Sequence, residues 1–127
     1  MKAFANLFSQ KKNKLIFYTT CGPATTFDPK ITGVSGIWYF DDGTTMAAAS
    51  GEEISKTFAT DGLHRAVFRP GAGGLAEITD ITINADLISG DVTSQILKCA
   101  NLGSLTAFQN TSLYADLSVI MARCSKL

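Results

Sequence analysis

The sequence predicts a mainly β chain with short helices: an antiparallel β-sandwich over residues 15–70, then two β-α repeats over residues 75–127. Three observations predict it. Between 15 and 70, short runs rich in β-branched and aromatic residues alternate with turn residues. At Gly71-Ala72-Gly73-Gly74, three glycines in four residues interrupt any strand or helix and mark a linker or a tight corner. Beyond that break the chain lines up with itself. Asp91/Asp116, Val92/Leu117, Ile96/Met121, Cys99/Cys124 and Leu102/Leu127 share an offset of 25, and Ile78, Ile81 and Ile83 recur 24 residues later as Leu102, Leu105 and Ala107. A period of this size marks units that bury an apolar face against their neighbours.

Residues 1–14 read as an N-terminal tail or anchor helix. Ala3, Phe4, Leu7 and Phe8 have the spacing of one or two amphipathic turns, followed by polar Ser9 to Lys14. Phe4, Leu7 and Phe8 are the candidate anchor that would insert in a partner, against the plainer alternative of a loosely docked terminus. The stretch is too short and broken for a signal peptide, and its lysines follow the apolar residues rather than precede them. The expectation is a chain that starts in the cytoplasm. Leu15 to Thr20, Gly36 to Phe40, Glu52 to Phe58 and Leu63 to Phe68 read as strands, the second running into the turn Asp41-Asp42-Gly43-Thr44 and the last ended by Pro70.

Trp38-Tyr39-Phe40-Asp41-Asp42-Gly43-Thr44 resembles the WxFGDGT signature of the polycystic-kidney-disease-type (PKD) domain, an immunoglobulin-like sandwich, with Asp41 where that family has its first glycine. Lys56-Thr57-Phe58 stands where the family has His-Thr-Tyr, and Asp61-Gly62 with Leu63, Ala66 and Phe68 resembles its closing strand. The resemblance covers about residues 30–69 and implies an immunoglobulin-type antiparallel sandwich.

Ile78-Thr79-Asp80-Ile81-Thr82-Ile83 resembles the LxxLxL strand of a leucine-rich repeat, and Leu102-Gly103-Ser104-Leu105-Thr106-Ala107 repeats it. Asn110 falls where that family has its ladder asparagine, with Asp86 one repeat earlier. Cys99-Ala100-Asn101-Leu102 and Cys124-Ser125-Lys126-Leu127 look like the Cys-x-x-Leu between a repeat's helix and the next strand. Between them, Val92/Ile96/Cys99 and Leu117/Met121/Cys124 form one apolar helical face, with Asp91 and Asp116 at the N-cap or first turn.

Eleven basic and eleven acidic residues cancel, and no basic patch points to nucleic acid; Lys11, Lys12 and Lys14 read as a solvated tail. No apolar run reaches the roughly 18 residues of a membrane span. The three cysteines form neither a disulfide framework nor a metal-binding CxxC pair. Cys99 and Cys124 read as buried small apolar residues, and Cys21 as a turn residue open to reagents. His64, the one histidine, reads as a surface or edge residue, and Asp41 and Asp42 as turn carboxylates bonding their own backbone. No nucleophile elbow or phosphate loop is written in the chain. The sequence therefore predicts no catalytic residue, no cofactor and no metal.

Two recognition scaffolds in one chain predict a non-enzymatic structural or recognition protein with protein partners, as a homo-oligomer or an assembly subunit. Immunoglobulin-like and repeat modules without an export signal suit a phage or prophage virion component, such as a capsid-decorating, head-fibre or tail-associated protein. The alternative is a bacterial surface or secreted adhesion module at the cell surface or outside the cell; a small hydrolase with an unrecognised site is the third. Two repeats are few for such a coil, so its open end should be covered by another subunit. The candidate interface residues are Leu117, Ile120, Met121 and Leu127.

Overall fold

The structure, a computed structural model, describes residues 13–84, 88–108, 113–114 and 116–123. The described residues are mainly β with two short helices. The strands are β1 (Leu15–Cys21), β2 (Lys30–Thr32), β3 (Gly36–Phe40), β4 (Thr45–Ala48), β5 (Gly62–Pro70), β6 (Asp80–Asn84), β7 (Ile88–Asp91), β8 (Ser104–Phe108) and β9 (Leu113–Tyr114). The described helices are α1 (Thr93–Ile96) and α2 (Leu117–Arg123), and a 3-10 turn covers Leu75–Glu77. A six-stranded sheet has the order β4-β3-β5-β1-β7-β9, and a three-stranded sheet the order β2-β6-β8.

Period-two patterning fixes the faces. In β1, Leu15, Phe17, Thr19 and Cys21 point inward while Tyr18 and Thr20 face out. The antiparallel register Leu15↔Phe68, Phe17↔Ala66 and Trp38↔Phe68 sets the inward residues of β1, β3 and β5 side by side. Trp38 is the centre of this layer. Phe27 meets its ring edge-on at 5.5 Å, with Phe68 at 5.2 Å and Phe17 at 6.2 Å. The antiparallel strands about this aromatic core are compatible with an immunoglobulin-like sandwich.

Residues 52–58 alternate as expected, with Ile54, Lys56 and Phe58 buried between exposed neighbours. They form isolated bridges, Phe27↔Lys56 and Lys30↔Glu53, rather than a continuous strand. Pro29 lies between those two bridges and has no N–H to give a ladder.

The expected division into a 15–70 unit, a 71–74 linker and a 75–127 unit gives way to one packed body. β1 pairs with β7 through Tyr18↔Ser89 and Thr19↔Ile88, and β2 pairs with β6 from Lys30↔Thr82 to Thr32↔Asp80. Both sheets therefore cross the glycine stretch, and one cluster of buried residues holds both Trp38 and Ile120. The glycines form a corner instead. Gly71 N–H donates to Ser35 O at 2.8 Å and Gly74 N–H to Gly71 O at 3.2 Å, with φ of +95° at Gly73 and +70° at Gly74. A corner and a linker both call for glycine, so composition does not separate them.

The repeat is a coil. β6 and β8 pair in parallel from Asp80↔Ser104 to Asn84↔Phe108, an offset of 24. β7 and β9 pair in parallel at Gly90↔Leu113 and Asp91↔Tyr114, an offset of 23. Each repeat gives one strand to each sheet and then a short helix, so there are two strands per repeat where the leucine-rich resemblance implies one. The helices also keep an offset of 24: Thr93 and Leu117 open them, and Ile96 and Ile120, both fully buried, stand at matching positions. Thr93 Oγ1 accepts the Asp116 N–H at 2.8 Å, tying one repeat to the next.

Candidate functional site

The densest polar arrangement lies at the β3–β4 turn. Lys56 Nζ donates to Asp42 Oδ2 at 2.6 Å and to Thr44 Oγ1 at 2.7 Å, and lies 5.1 Å from the ring centroids of both Phe40 and Phe58. Asp42 Oδ1 in turn accepts the Thr44 N–H at 3.0 Å and the Thr44 hydroxyl at 2.6 Å. The lysine, foremost, and Thr44 hold the Asp42 carboxyl down to about 2 against a small opposing effect of burial. Asp42 thus bonds the backbone of its own turn as the sequence implies, whereas Asp41 does not: it reaches across to β5. Asp42 also forms an ion pair with a buried lysine that sequence reasoning missed. The signal was available: Lys56 occupies the inward parity of Ile54 and Phe58.

His64 is not a surface or edge residue. Its ring stacks on Phe58 at 4.0 Å between centroids, and its side chain is 12% exposed. Thr19↔His64 register places it on the inner face of β5, opposite to Leu63. Nδ1 lies 3.0 Å from Asp41 Oδ1 and Nε2 lies 2.8 Å from Thr60 O. Two acceptors against two ring nitrogens are both satisfied only by the doubly protonated ring. Burial pulls the His64 pKa down, but the Thr60 carbonyl and Asp41 carboxylate outweigh it and leave a net rise. Asp41 Oδ2 also accepts the Arg65 N–H at 3.0 Å, which joins the turn to β5. Every charge in this cluster is answered by a neighbour, which suits a clamp on the turn and residues 56–60 better than a substrate site.

Elsewhere the polar groups are sparse. A shallow hollow beside β3 and β4 includes Glu52, and another between β1, β7 and α1 includes Asp91, each without a second charged side chain in its lining. Among the described residues no three His, Cys, Asp or Glu side chains converge as metal ligands. Cys21 is 3% exposed and lies 3.0 Å from Thr19 Oγ1, and burial pushes its thiol pKa up. The expectation of an accessible Cys21 is therefore corrected. Cys99 is also buried, and Cys124 lies outside the described residues. In the folded protein Cys21 and Cys99 should both resist a thiol reagent and react only after urea is added; rapid labelling of either without denaturant would contradict this packing.

The remaining candidate is the last repeat. Of the expected interface residues, Ile120 is wholly buried in the core rather than presented to a partner. The offset of 25 pairs Ile96 with Met121, whereas the coil's offset of 24 pairs it with Ile120, which therefore takes the buried position that Ile96 holds one repeat earlier. Leu117 and Met121 lie on α2, but their side chains, Leu127, and the anchor residues Phe4, Leu7 and Phe8 are outside the described residues. The described outer face of α2 carries Ser118, Ala122 and Val119, the last 39% exposed. Both sheets run out at this repeat: β8 ends one and β9 ends the other, with no described strand beyond either. Comparison with known proteins gives no match to a family model, a curated protein or a solved structure.

Proposed function

We propose that this chain is a non-enzymatic structural and recognition protein that works through protein–protein contacts, as a phage or prophage virion component of the capsid-decorating, head-fibre or tail-associated kind. The observation that carries this reading is the asymmetry of the coil. On one side β1 and β2 cover β7 and β6; on the other, β8 and β9 are the last described strands of their sheets. A sheet that stops in this way offers unpaired backbone groups to another chain. The finer fold assignment belongs to the same proposal. The Asp42–Thr44 turn clamped by Lys56 supports a PKD-like sandwich, and parallel pairing at an offset of 24 supports repeat units akin to leucine-rich ones.

The test is fractionation of cells that make the chain. The protein should sediment with large particles at a fixed ratio to their main subunit and remain there in high salt. Recovery on the cell surface would favour the adhesion alternative, and a chain found only in the low-mass soluble fraction would overturn the assembly reading.

A further inference from the structure

We propose that two copies of this chain join end to end through β8, antiparallel about a twofold axis, and that this second copy covers the open end of the coil. The proposal rests on the protein-contact reading above and names the partner.

The four sheet edges are unequal. β2 has three residues, follows Pro29 and opens on Lys30; its outer side is engaged by the Gly51 N–H, which donates to Ile31 O at 2.9 Å, and by the Lys30↔Glu53 bridge. β4 has four residues and runs into a turn where Ala49 N–H donates to Glu52 Oε1 at 2.9 Å, which sets a carboxylate at that edge. β9 has two residues. β8 has five, Ser104-Leu105-Thr106-Ala107-Phe108, with no proline, glycine or charge. Natural edges are commonly blunted by charge, proline, shortness or a covering segment, and the described part of β8 shows none of these. The neutrality extends well beyond the strand: from Cys99 to Ala115 the chain carries no charged residue, between Lys98 and Asp116.

Neutrality permits a second copy as the occupant. A strand laid antiparallel against its own copy about a twofold axis faces its central residue with itself and each flanking residue with its counterpart across the centre, so a charge at the centre would meet its like. β8 has no charge at any of these positions. The outer face of the six-stranded sheet is the other apolar surface, with Tyr18, Ile37, Tyr39 and Leu63 all at least 40% exposed. It carries Arg65 and Arg69 on β5 and the carboxylate of Asp91 on the same side of β7. A sheet face offers no unpaired backbone groups, whereas β8 is the last described strand of its sheet, so backbone pairing between copies falls to the edge. Full overlap of the five-residue strand centres on Thr106, pairing Thr106 with Thr106 of the second copy and Leu105 with Ala107. Leu105 packs on the core of its own chain, so its side of the strand would extend that core across the junction.

Sedimentation velocity of the purified full chain tests this, with Thr106→Lys, Thr106→Cys and, on the β4 edge of the other sheet, Ala47→Lys. The expected results are a dimer for the native chain and for Ala47→Lys, at least tenfold weaker association for Thr106→Lys, and a disulfide-linked dimer for Thr106→Cys on mild oxidation. Circular dichroism checks that each variant is folded; Thr106→Cys keeps the test decisive if Thr106→Lys is not. A native chain that stays monomeric at high concentration overturns the self-pairing, as does a dimer that neither weakens with Thr106→Lys nor cross-links with Thr106→Cys. Open-ended oligomers overturn the twofold geometry. A monomer that still sediments with particles in cells would sink this inference alone, whereas a dimer absent from particles would sink the assembly reading alone.

Discussion

Replacing Ile120 with Asp should cost about 4 kcal/mol or more and unfold the last repeat, because a carboxylate would be placed in a site with no exposure. The side chain lost is itself worth about 2–5 kcal/mol when truncated in a core. Val119→Asp, one residue earlier at a position 39% exposed, should change stability by less than about 1 kcal/mol. Urea denaturation followed by circular dichroism separates the two. The damage from Ile120→Asp should spread beyond α2. The last repeat supplies β8 and β9, which pair with β6 and β7, and these in turn pair with β2 and β1. An assembly assay alone would misread this variant as an interface mutant, because an unfolded repeat also fails to assemble. A native urea midpoint for Ile120→Asp would show that Ile120 faces outward after all.

The same residue shows how far the sequence could be read. Strand positions that repeat apolar and aromatic residues were legible: 15–20, 36–40 and 63–68 lie within or match β1, β3 and β5, and the shift of 24 between Ile81 and Leu105 is the parallel register of β6 and β8. The helical register was not, because Asp, Val/Leu and Cys matches favoured 25 over 24, and a helix face rotates about 100° per residue. β7 and β9 were missed for a different reason. Ile88-Ser89-Gly90-Asp91 carries Gly and Asp, which disfavour strands, and Leu113-Tyr114 is too short to show a pattern; both are strands because neighbours offer them an edge. Topology was hidden for the same reason: nothing local in Ile88 or Ser89 states that β1, some seventy residues earlier, is the partner. The turn cluster was half legible. The Asp-Gly turn is a local signal, whereas the pairing of Asp42 with Lys56 and of Asp41 with His64 depends on where residues 52–64 return.

Removing Lys56 should have the second large effect. Lys56→Ala takes away the ion pair with Asp42, the contact with two aromatic faces and the aliphatic stem packed beside Phe40 and Phe58, for a loss of about 2–3 kcal/mol. Lys56→Met keeps a stem of similar bulk and loses only the charge, so it should cost about half as much. Their pH dependence separates charge from packing. Asp42 has its pKa lowered from 3.8 to about 2, so the stability it adds is present above 3.8 and lost as pH falls through about 2. For a carboxylate 35% exposed, solvent screening holds that contribution to about 1 kcal/mol. His64 has the opposite sign. Its raised pKa contributes stability that is complete below 6.5 and is lost as pH rises through the folded value, when Asp41 or the Thr60 carbonyl loses its donor. The native clamp should therefore be tightest from about pH 4 to 6.5. Urea midpoints across pH should show Lys56→Met with a flattened acid limb and an intact alkaline one, and His64→Gln with the reverse. If Lys56→Met kept the native acid limb, the Asp42–Lys56 pair would not be what holds this turn.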